Sequence, residues 1–139
     1  MTLAELRLLA AAAGFPDPNL AAAVAMAESA GNPCARGDPS IGPDCADPGT
    51  ATSFGLWQIH VPAHPQYDPV SLFDPHYNAA AAFAISDGGR DWSPWSTFNH
   101  RLYTQFLPGA AVVAAPGAIA ALAFALGAVW IRSLRSPLF

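Results

Sequence analysis

The sequence has no lysine and few charged residues of any kind, and both shortages limit what it can encode. All 6 basic residues are arginines, and Asp, Glu, Lys and Arg together make up 12% of the 139 residues. With a net charge of −4 and no basic stripe, the chain is poorly suited to neutralise phosphates, which argues against nucleic acid as a partner. The hydrophobic fraction of 53% is too high for a disordered chain. It indicates one folded domain. Because it is also higher than a soluble domain of this size needs, it indicates membrane contact.

Cysteine is also scarce: Cys34 and Cys45 are the two in the chain, and both lie in a loop rich in Gly, Pro and Asp at residues 32–52. A disulfide between them would stabilise this short loop by about 3 kcal/mol. The alternative is a pair of free thiols in a reducing compartment. Two thiols at this spacing do not make a metal site. His60 and His64 are four residues apart, but Pro62 between them argues against a helix that would align them, so we expect no metal and no other cofactor.

Local signals predict four helices in the first 107 residues. A capping box at residues 2–5 opens the first helix, and Gly14 ends it. The second covers residues 20–29, and Gly31 and Pro33 end it. The third follows Asp74-Pro75 and covers residues 76–86, whose nearly continuous apolar character predicts the central helix of the core. The fourth follows Ser93-Pro94 and is expected to place on one face Trp95, Phe98, Leu102 and Phe106.

The C-terminal part of the chain carries no charged residue between Phe106 and Ile131. As a helix, residues 110–131 would span about 33 Å, enough for a bilayer core of about 30 Å. Trp130 and the arginines at 132 and 135 follow, as at a membrane interface. The sequence therefore predicts two parts, a domain at residues 1–107 and a transmembrane helix with a short basic tail at residues 108–139. The alternative is a hydrophobic helix packed in the core or between subunits.

Glu28 is the acidic residue whose surroundings are most unusual. It lies in the last turn of the second predicted helix, where the helix dipole disfavours negative charge. Val24 and Ala25, one turn earlier, give the carboxyl group an apolar setting. Both effects raise a carboxyl pKa and suit a general acid. On its own the position is weak support, because a Glu at a helix end is usually a solvated surface residue.

Four motifs together change that interpretation. They are A-E-S-A-G-N-P at residues 27–33, S-F-G-L-W-Q-I at 53–59, L-F-D-P-H-Y-N-A-A-A-A at 72–82 and D-W-S-P-W-S-T-F at 91–98. Their order and spacing resemble the lysozyme-like superfamily, specifically the soluble-lytic-transglycosylase type found in phage tail and virion-associated peptidoglycan hydrolases. The resemblance covers about residues 3–103. It implies a mainly α (α+β) lysozyme-like fold, with a helical lobe, a small sheet or loop lobe and a glycan cleft between them.

The resemblance also assigns roles to residues. Glu28 would protonate the glycosidic oxygen between N-acetylmuramic acid and N-acetylglucosamine, and Ser29 would orient it. The residues implied to bind substrate are Ser29, Ser53, Gly55, Leu56, Trp57, Gln58, Tyr77 and Asn78. Two of these have structural alternatives, since Trp57 is equally a candidate core residue and Asn78 a candidate helix-surface or capping residue. Trp92 and Trp95 are interpreted as core packing rather than as sugar platforms.

The number of carboxylates decides the expected chemistry. Two-carboxylate glycosidases need a second acid across the scissile bond. Asp38, Asp44 and Asp47 are candidates, but each is better explained as a turn residue. A lytic transglycosylase needs no second carboxylate, because the C6 hydroxyl of the sugar attacks and the Glu acts first as acid and then as base. The sequence therefore favours a transglycosylase over a hydrolase.

The resulting hypothesis is an enzyme that cuts peptidoglycan glycan strands from a phage particle, opening the wall locally during genome entry. Its partners would be the glycan strands, a membrane through residues 110–131 and other virion proteins. Its location would be a virion membrane, crossed once, or alternatively the host inner membrane facing the periplasm. Two other functions stay open: a muramidase-type endolysin acting in host lysis, and a non-catalytic, glycan-binding structural membrane protein of a virion.

Overall fold

Most of the regular structure in this chain is helical. A computed structural model describes residues 1–37, 45 and 48–110. Within them, two two-residue strands pair antiparallel, with Ser53 opposite His60 and Phe54 opposite Ile59. In chain order, the elements are helices α1 (Leu3–Ala12) and α2 (Pro18–Ser29), strands β1 (Ser53–Phe54) and β2 (Ile59–His60), a 3₁₀ helix (Ser71–Phe73), helices α3 (Pro75–Ile85) and α4 (Ser96–Asn99), and a second 3₁₀ helix (Leu102–Phe106). The prediction of a mainly helical domain with a small sheet is confirmed.

Side chains that cap the helices explain where the helices begin. At α1, the Thr2 hydroxyl accepts a hydrogen bond from the Glu5 amide, and the Glu5 carboxylate accepts one from the Thr2 amide, which completes the predicted capping box. At α3, Asp74 accepts a hydrogen bond from the Tyr77 amide at 2.8 Å, and Pro75 takes the first helical position. Asp17 caps α2 in the same way. These local signals fix the helix starts independently of the core.

The helix at the centre of the domain is α2, so the expectation that α3 holds this place is wrong. Every residue from Ala21 to Ala25 is buried, and α2 packs against α1, α4 and the second 3₁₀ helix. In α3 one face is buried, while Tyr77, Ala80 and Ala84 are exposed. The error has a physical cause: alanine is small enough to lie on either face of a helix, so a run of alanines does not reveal which face is buried.

The predicted fourth helix is broken into two short pieces. Helix α4 ends at Asn99, and Arg101 has a left-handed backbone conformation with φ of 58°. A 3₁₀ helix then continues from Leu102, which is 51% exposed. Because the chain turns at Arg101, the expected shared face from Trp95 to Phe106 does not form. The break instead brings Phe98 against Tyr103, with their rings stacked and their centroids 4.9 Å apart.

A cluster of aromatic rings joins the hairpin to the helices. The ring of Phe15 stacks on Trp57 at 5.8 Å and on Trp92 at 5.5 Å, and Trp92 contacts Trp95 at 5.1 Å. The indole N–H of Trp57 donates to the Ala21 carbonyl at 3.1 Å, and that of Trp95 donates to the Trp57 carbonyl at 2.7 Å. The buried indoles therefore have their polar groups satisfied, as buried Trp requires. Trp92 and Trp95 are core residues, as predicted.

The two remaining predictions concern the cysteine loop and the C-terminal segment. Cys34 and Cys45 form a disulfide, with their Cα atoms 4.9 Å apart. The candidate acids Asp38, Asp44 and Asp47 lie outside the described residues. So does the predicted membrane helix beyond Ala110. Within the part of the chain that the structure describes, every helix is too short or too polar to cross a membrane.

Candidate active site

Glu28 lies in the last turn of α2 with its carboxyl group half-buried. Burial raises its pKa above the ordinary value for Glu, because the charged form loses contact with water. The Thr97 hydroxyl donates a hydrogen bond to Oε1 of Glu28 at 2.5 Å, which acts in the opposite direction and lowers the pKa. Burial has the larger effect, so the pKa is raised overall. The expected raised pKa of Glu28 is therefore present, and burial is its main cause.

Two cavities meet at Glu28 and Gln58, which line both of them. The first has a volume of about 240 Å³ and a lining of mixed polarity, whose polar members include Ser53, His60, His64 and Ser96. The second has a volume of about 450 Å³ and a more apolar lining, which includes Met26, Ala27, Leu102 and Phe106. An extended ligand that occupied both cavities would therefore contact Glu28.

Gln58 is held in place beside Glu28 by its own side-chain amide. Its Nε2 donates hydrogen bonds to the carbonyl of Ala35 at 3.0 Å and to that of Gly55 at 2.8 Å. Its backbone is left-handed, with φ of 47°. Such a conformation is uncommon for a residue other than glycine, and it persists only where the surroundings enforce it. Gln58 is thus a fixed part of the cleft, where the sequence placed it.

The rest of the G-L-W-Q turn faces the interior, which corrects the expectation that it lines the cleft. Leu56 and Trp57 are fully buried in the core. Gly55, also buried, has φ of 77°, and a Cβ atom there would lie 2.2 Å from Nδ2 of Asn78. The close approach predicted for the glycine backbone is therefore made to Asn78 and not to a sugar.

Asn78 explains why the turn folds inward. Its side chain is fully buried, accepts a hydrogen bond from the Trp57 amide at 2.9 Å, and donates to the carbonyls of Phe54 at 3.0 Å and Leu72 at 2.9 Å. Backbone polar groups that would otherwise be orphaned in the core are satisfied in this way. Asn78 is therefore a structural residue beneath the cleft, and neither the predicted substrate contact nor the surface or capping residue of the alternative.

Ser29 is also occupied by backbone contacts. Its hydroxyl donates to the Ala25 carbonyl at 2.9 Å and accepts from the Gly31 amide at 3.2 Å. These bonds secure the end of α2, beyond which Ala30 adopts a left-handed conformation. Ser29 lines the second cavity, but its hydroxyl proton points to backbone and not to Glu28. Its effect on Glu28 is therefore to hold the helix end that carries it.

Ser53 and His60 form a polar pair on the wall of the first cavity. They face each other across the hairpin, with Oγ of Ser53 3.1 Å from Nδ1 of His60. His64 lines the same cavity, and its amide donates to the His60 carbonyl at 3.1 Å, so the backbone between the two histidines makes a helical turn. None of the described elements is a helix over residues 60–64, as expected from Pro62, and the contact is a single turn. Among the described residues, no group of three or more His, Cys, Asp or Glu side chains could hold a metal ion.

Thr97 is the functional residue that sequence reasoning missed. It belongs to the D-W-S-P-W-S-T-F motif, which supported the resemblance without assigning this residue a role. It lies 69 residues from Glu28 in the chain, and neither local pattern nor spacing pairs a hydroxyl with a carboxylate over that distance.

Tyr77, which was predicted to bind substrate, is exposed and lines neither cavity. Its ring contacts that of Tyr67.

Comparison with known proteins adds one finding. A family profile described as a lysozyme-like domain matches residues 7–97, about two thirds of the chain. The match includes Glu28, the hairpin and Thr97, whereas Leu102 and Phe106 of the second cavity lie beyond it. No curated protein and no solved structure matches the chain significantly.

Proposed function

The chain belongs to the family of lysozyme-like domains, and we propose that it cleaves the glycan strands of bacterial peptidoglycan with Glu28 as the general acid. One observation carries this proposal: a half-buried carboxyl group of raised pKa stands where two cavities meet. A carboxyl group of raised pKa keeps its proton to higher pH and can donate it to a leaving oxygen. The two cavities provide room for sugars on both sides of the bond that receives it.

In the proposed reaction, Glu28 protonates the oxygen that links N-acetylmuramic acid to N-acetylglucosamine. The bond from this oxygen to C1 of the muramic sugar then breaks, and the electron pair stays on the departing oxygen. The resulting Glu28 carboxylate is stabilised by the hydrogen bond from Thr97. The same carboxylate is available to accept a proton in the second step.

We propose a lytic transglycosylase rather than a hydrolase. Among the described residues that line the two cavities, Glu28 is the one carboxylate. Hydrolysis with two carboxyl groups would require a second acid facing the scissile bond. In a transglycosylase, the C6 hydroxyl of the muramic sugar attacks C1, its proton passes to Glu28, and the product carries a 1,6-anhydro ring. One carboxyl group is sufficient for both steps.

The test is digestion of purified peptidoglycan by the wild-type chain and by Glu28→Gln. We expect the variant to lose activity by about 100-fold or more, the usual contribution of a general acid. Glu5→Gln is the matched control, because Glu5 is the other glutamate of the chain and Gln preserves a capping box. Mass spectrometry of the wild-type products should show 1,6-anhydromuramic ends. No cleavage by folded wild-type protein, or equal cleavage by Glu28→Gln, would contradict the proposal, and reducing ends would show a hydrolase.

The setting in a phage particle is a proposal that rests on the motifs of the sequence. A virion-associated enzyme would act during genome entry, held to a membrane by residues 110–131. Mass spectrometry of purified particles tests this placement. Presence of the chain in them supports a virion role, and its absence favours the endolysin alternative.

A further inference from the structure

The polar pair formed by Ser53 and His60 lies in the same cavity as Glu28, and the proposed reaction does not use it. The Val61 amide donates to the Thr52 carbonyl at 2.9 Å. Ser53 and His60, the next residues inward, therefore face each other where the two backbones do not bond directly, and side chains approach closely at such a position. On the other edge of β1, the Ser53 carbonyl accepts from the Gly37 amide at 3.0 Å. Backbone contacts on both sides thus fix the pair.

The hydroxyl of Ser53 orients the imidazole of His60. Its Oγ lies 3.1 Å from Nδ1 of His60. When this hydroxyl donates to Nδ1, the neutral ring carries its own proton on Nε2. His60 is exposed and lines the first cavity, so the Nε2–H group is available to a ligand there. His64 adds a second imidazole to the same wall.

The charges around the first cavity favour an anionic ligand group. Among the described residues that line it, the two imidazoles are the groups that can become positive, and Glu28 is the one carboxyl group. Glu28 acts in its protonated form, so it does not repel an anion in the same cavity. A hydrogen bond to a charged acceptor is about twice as strong as one to a neutral acceptor. The wall that carries His60 therefore suits a carboxylate better than a hydroxyl group.

One of the two sugars in a peptidoglycan strand can carry such a group. The muramic sugar bears a lactyl ether on its O3, where the glucosamine has a free hydroxyl. The lactyl carboxyl group is an amide where a stem peptide is attached, and a carboxylate where the peptide has been removed. We propose that Ser53 and His60 recognise the lactyl carboxylate of peptide-free muramic acid, which places this sugar in the first cavity. This inference rests on the proposed function, because it assumes a peptidoglycan strand in the cleft.

The proposal also gives the protein a place in a sequence of reactions. A free lactyl carboxylate arises when an amide hydrolase adds water across the bond between muramic acid and its stem peptide. The carboxylate stays on the sugar, and the amine leaves with the peptide. This class of reaction must supply the preferred substrate. The chain should therefore bind strands that have lost their peptides more tightly than strands that retain them.

Calorimetric binding to the Glu28→Gln variant tests the proposal, because this parent does not consume its ligand. The two main probes are a peptide-free glycan tetrasaccharide with free lactyl carboxylates and the same tetrasaccharide with each carboxylate converted to a methylamide. We expect the carboxylate form to bind about tenfold more tightly, the effect of one hydrogen bond to a charged acceptor. Adding His60→Leu to the parent should abolish this difference by weakening the binding of the carboxylate form alone.

Two further variants separate recognition from structural effects. Ser53→Ala removes the hydroxyl that orients His60 and should lower the preference for the carboxylate form to an intermediate value. His76→Leu replaces an exposed histidine that lines neither cavity, and it should keep the full preference. Thermal unfolding of each variant verifies that it is folded.

Equal affinity of the parent for the two forms would overturn the inference, and so would an equal loss for both forms in folded His60→Leu. A third probe, the tetrasaccharide with its stem peptides attached, identifies the source of the carboxylate. Tighter binding of this probe that depends on His60 would assign the pair to a peptide carboxylate and overturn the lactyl assignment. Failure of the proposed function has a different signature: the wild-type chain would leave strands with and without peptides intact, while the preference for the carboxylate form would still be measured.

Discussion

Thr97 donates its hydroxyl hydrogen to Oε1 of Glu28 at 2.5 Å, and this contact joins two helices that are far apart in the chain. Thr97 belongs to α4, a helix of only four residues, and Glu28 to the central helix α2. The bond favours the charged form of the carboxyl group, whereas burial favours the protonated form. The backbone amide of Thr97 also lowers the pKa of Glu28, so burial acts against two contacts from Thr97, of which a substitution removes the one made by the hydroxyl.

Thr97→Val should raise the pKa of Glu28 further, because valine keeps the shape of threonine and removes the donor. An acid of higher pKa stays protonated to higher pH, so the alkaline limb of the activity profile should move upward. The measurement is the pH dependence of peptidoglycan cleavage. Thr97→Ser, which retains the hydroxyl, should behave like the wild type. An unchanged limb in folded Thr97→Val would show that the bond does not control this proton.

Glu28 should also make stability depend on pH. Since its pKa is raised by folding, the folded state binds this proton more tightly than the unfolded state. The stabilisation is fully present below the ordinary Glu pKa of about 4.3 and is lost as pH rises through the folded pKa. Glu28→Gln should therefore be more stable than the wild type at neutral pH, and the difference should vanish near pH 4. Urea unfolding at both pH values measures it.

Glu5 provides a control of opposite sign for this prediction. Hydrogen bonds from Thr2 lower the pKa of Glu5, so its contribution is present above the ordinary pKa and is lost as pH falls through the folded value. Glu5→Gln should thus be less stable than the wild type at neutral pH, with a difference that shrinks in acid. The same sign for both variants would contradict the opposite shifts of the two carboxyl groups.

Gly55→Ala should destabilise the domain much more than Gly109→Ala. Both glycines have a left-handed backbone, with φ of 77° and 81°. A Cβ atom at position 55 would lie 2.2 Å from Asn78 and 2.3 Å from the Leu72 carbonyl, whereas at position 109 nothing lies within 4 Å. We expect a loss of about 1 kcal/mol at position 109 from backbone strain alone. At position 55 we expect about 3 kcal/mol or more, because the turn must also move. Equal losses in urea unfolding would contradict the steric argument.

Removal of the disulfide should lower both stability and activity. Replacing Cys34 and Cys45 by Ser should reduce the free energy of unfolding by about 3 kcal/mol. The effect on activity follows from position: the Ala35 carbonyl, next to Cys34, accepts the hydrogen bond that holds Gln58, and Gly37 lines the first cavity. Cleavage by the wild type should therefore fall in reducing buffer. Cleavage by the double variant should not respond to reductant.

The sequence was most informative where structure depends on neighbours in the chain. The capping signals at Thr2 and Asp74 predicted helix starts, and the position of Glu28 after Val24 and Ala25 predicted an acid of raised pKa. The sequence signal for each of these features lies within one or two helical turns, although the burial that raises the pKa of Glu28 comes from tertiary packing. Local chemistry alone was sufficient to find them.

Prediction failed where a long-range contact decides which way a residue faces. The turn from Gly55 to Gln58 was expected to line the cleft, yet Asn78 satisfies its backbone from beneath and leaves only Gln58 beside Glu28. Thr97 reaches Glu28 only because the chain bends before α4. A motif thus located the region of the site, but tertiary packing decided which of its side chains reach the cleft.

Trp95 belongs to the aromatic cluster and also lines the first cavity, so its spectroscopic signal should report on ligand binding there. Trp95 lines that cavity, and its ring lies 5.1 Å from Trp92, which in turn stacks on Phe15. Because the two indoles lie this close, at an interplanar angle of 53°, we expect their electronic transitions to couple and to contribute to the near-ultraviolet circular dichroism. A ligand that enters the cavity changes the surroundings of one member of the pair. Occupancy of the cleft should therefore be measurable spectroscopically, without attaching a label to the protein or to its ligand.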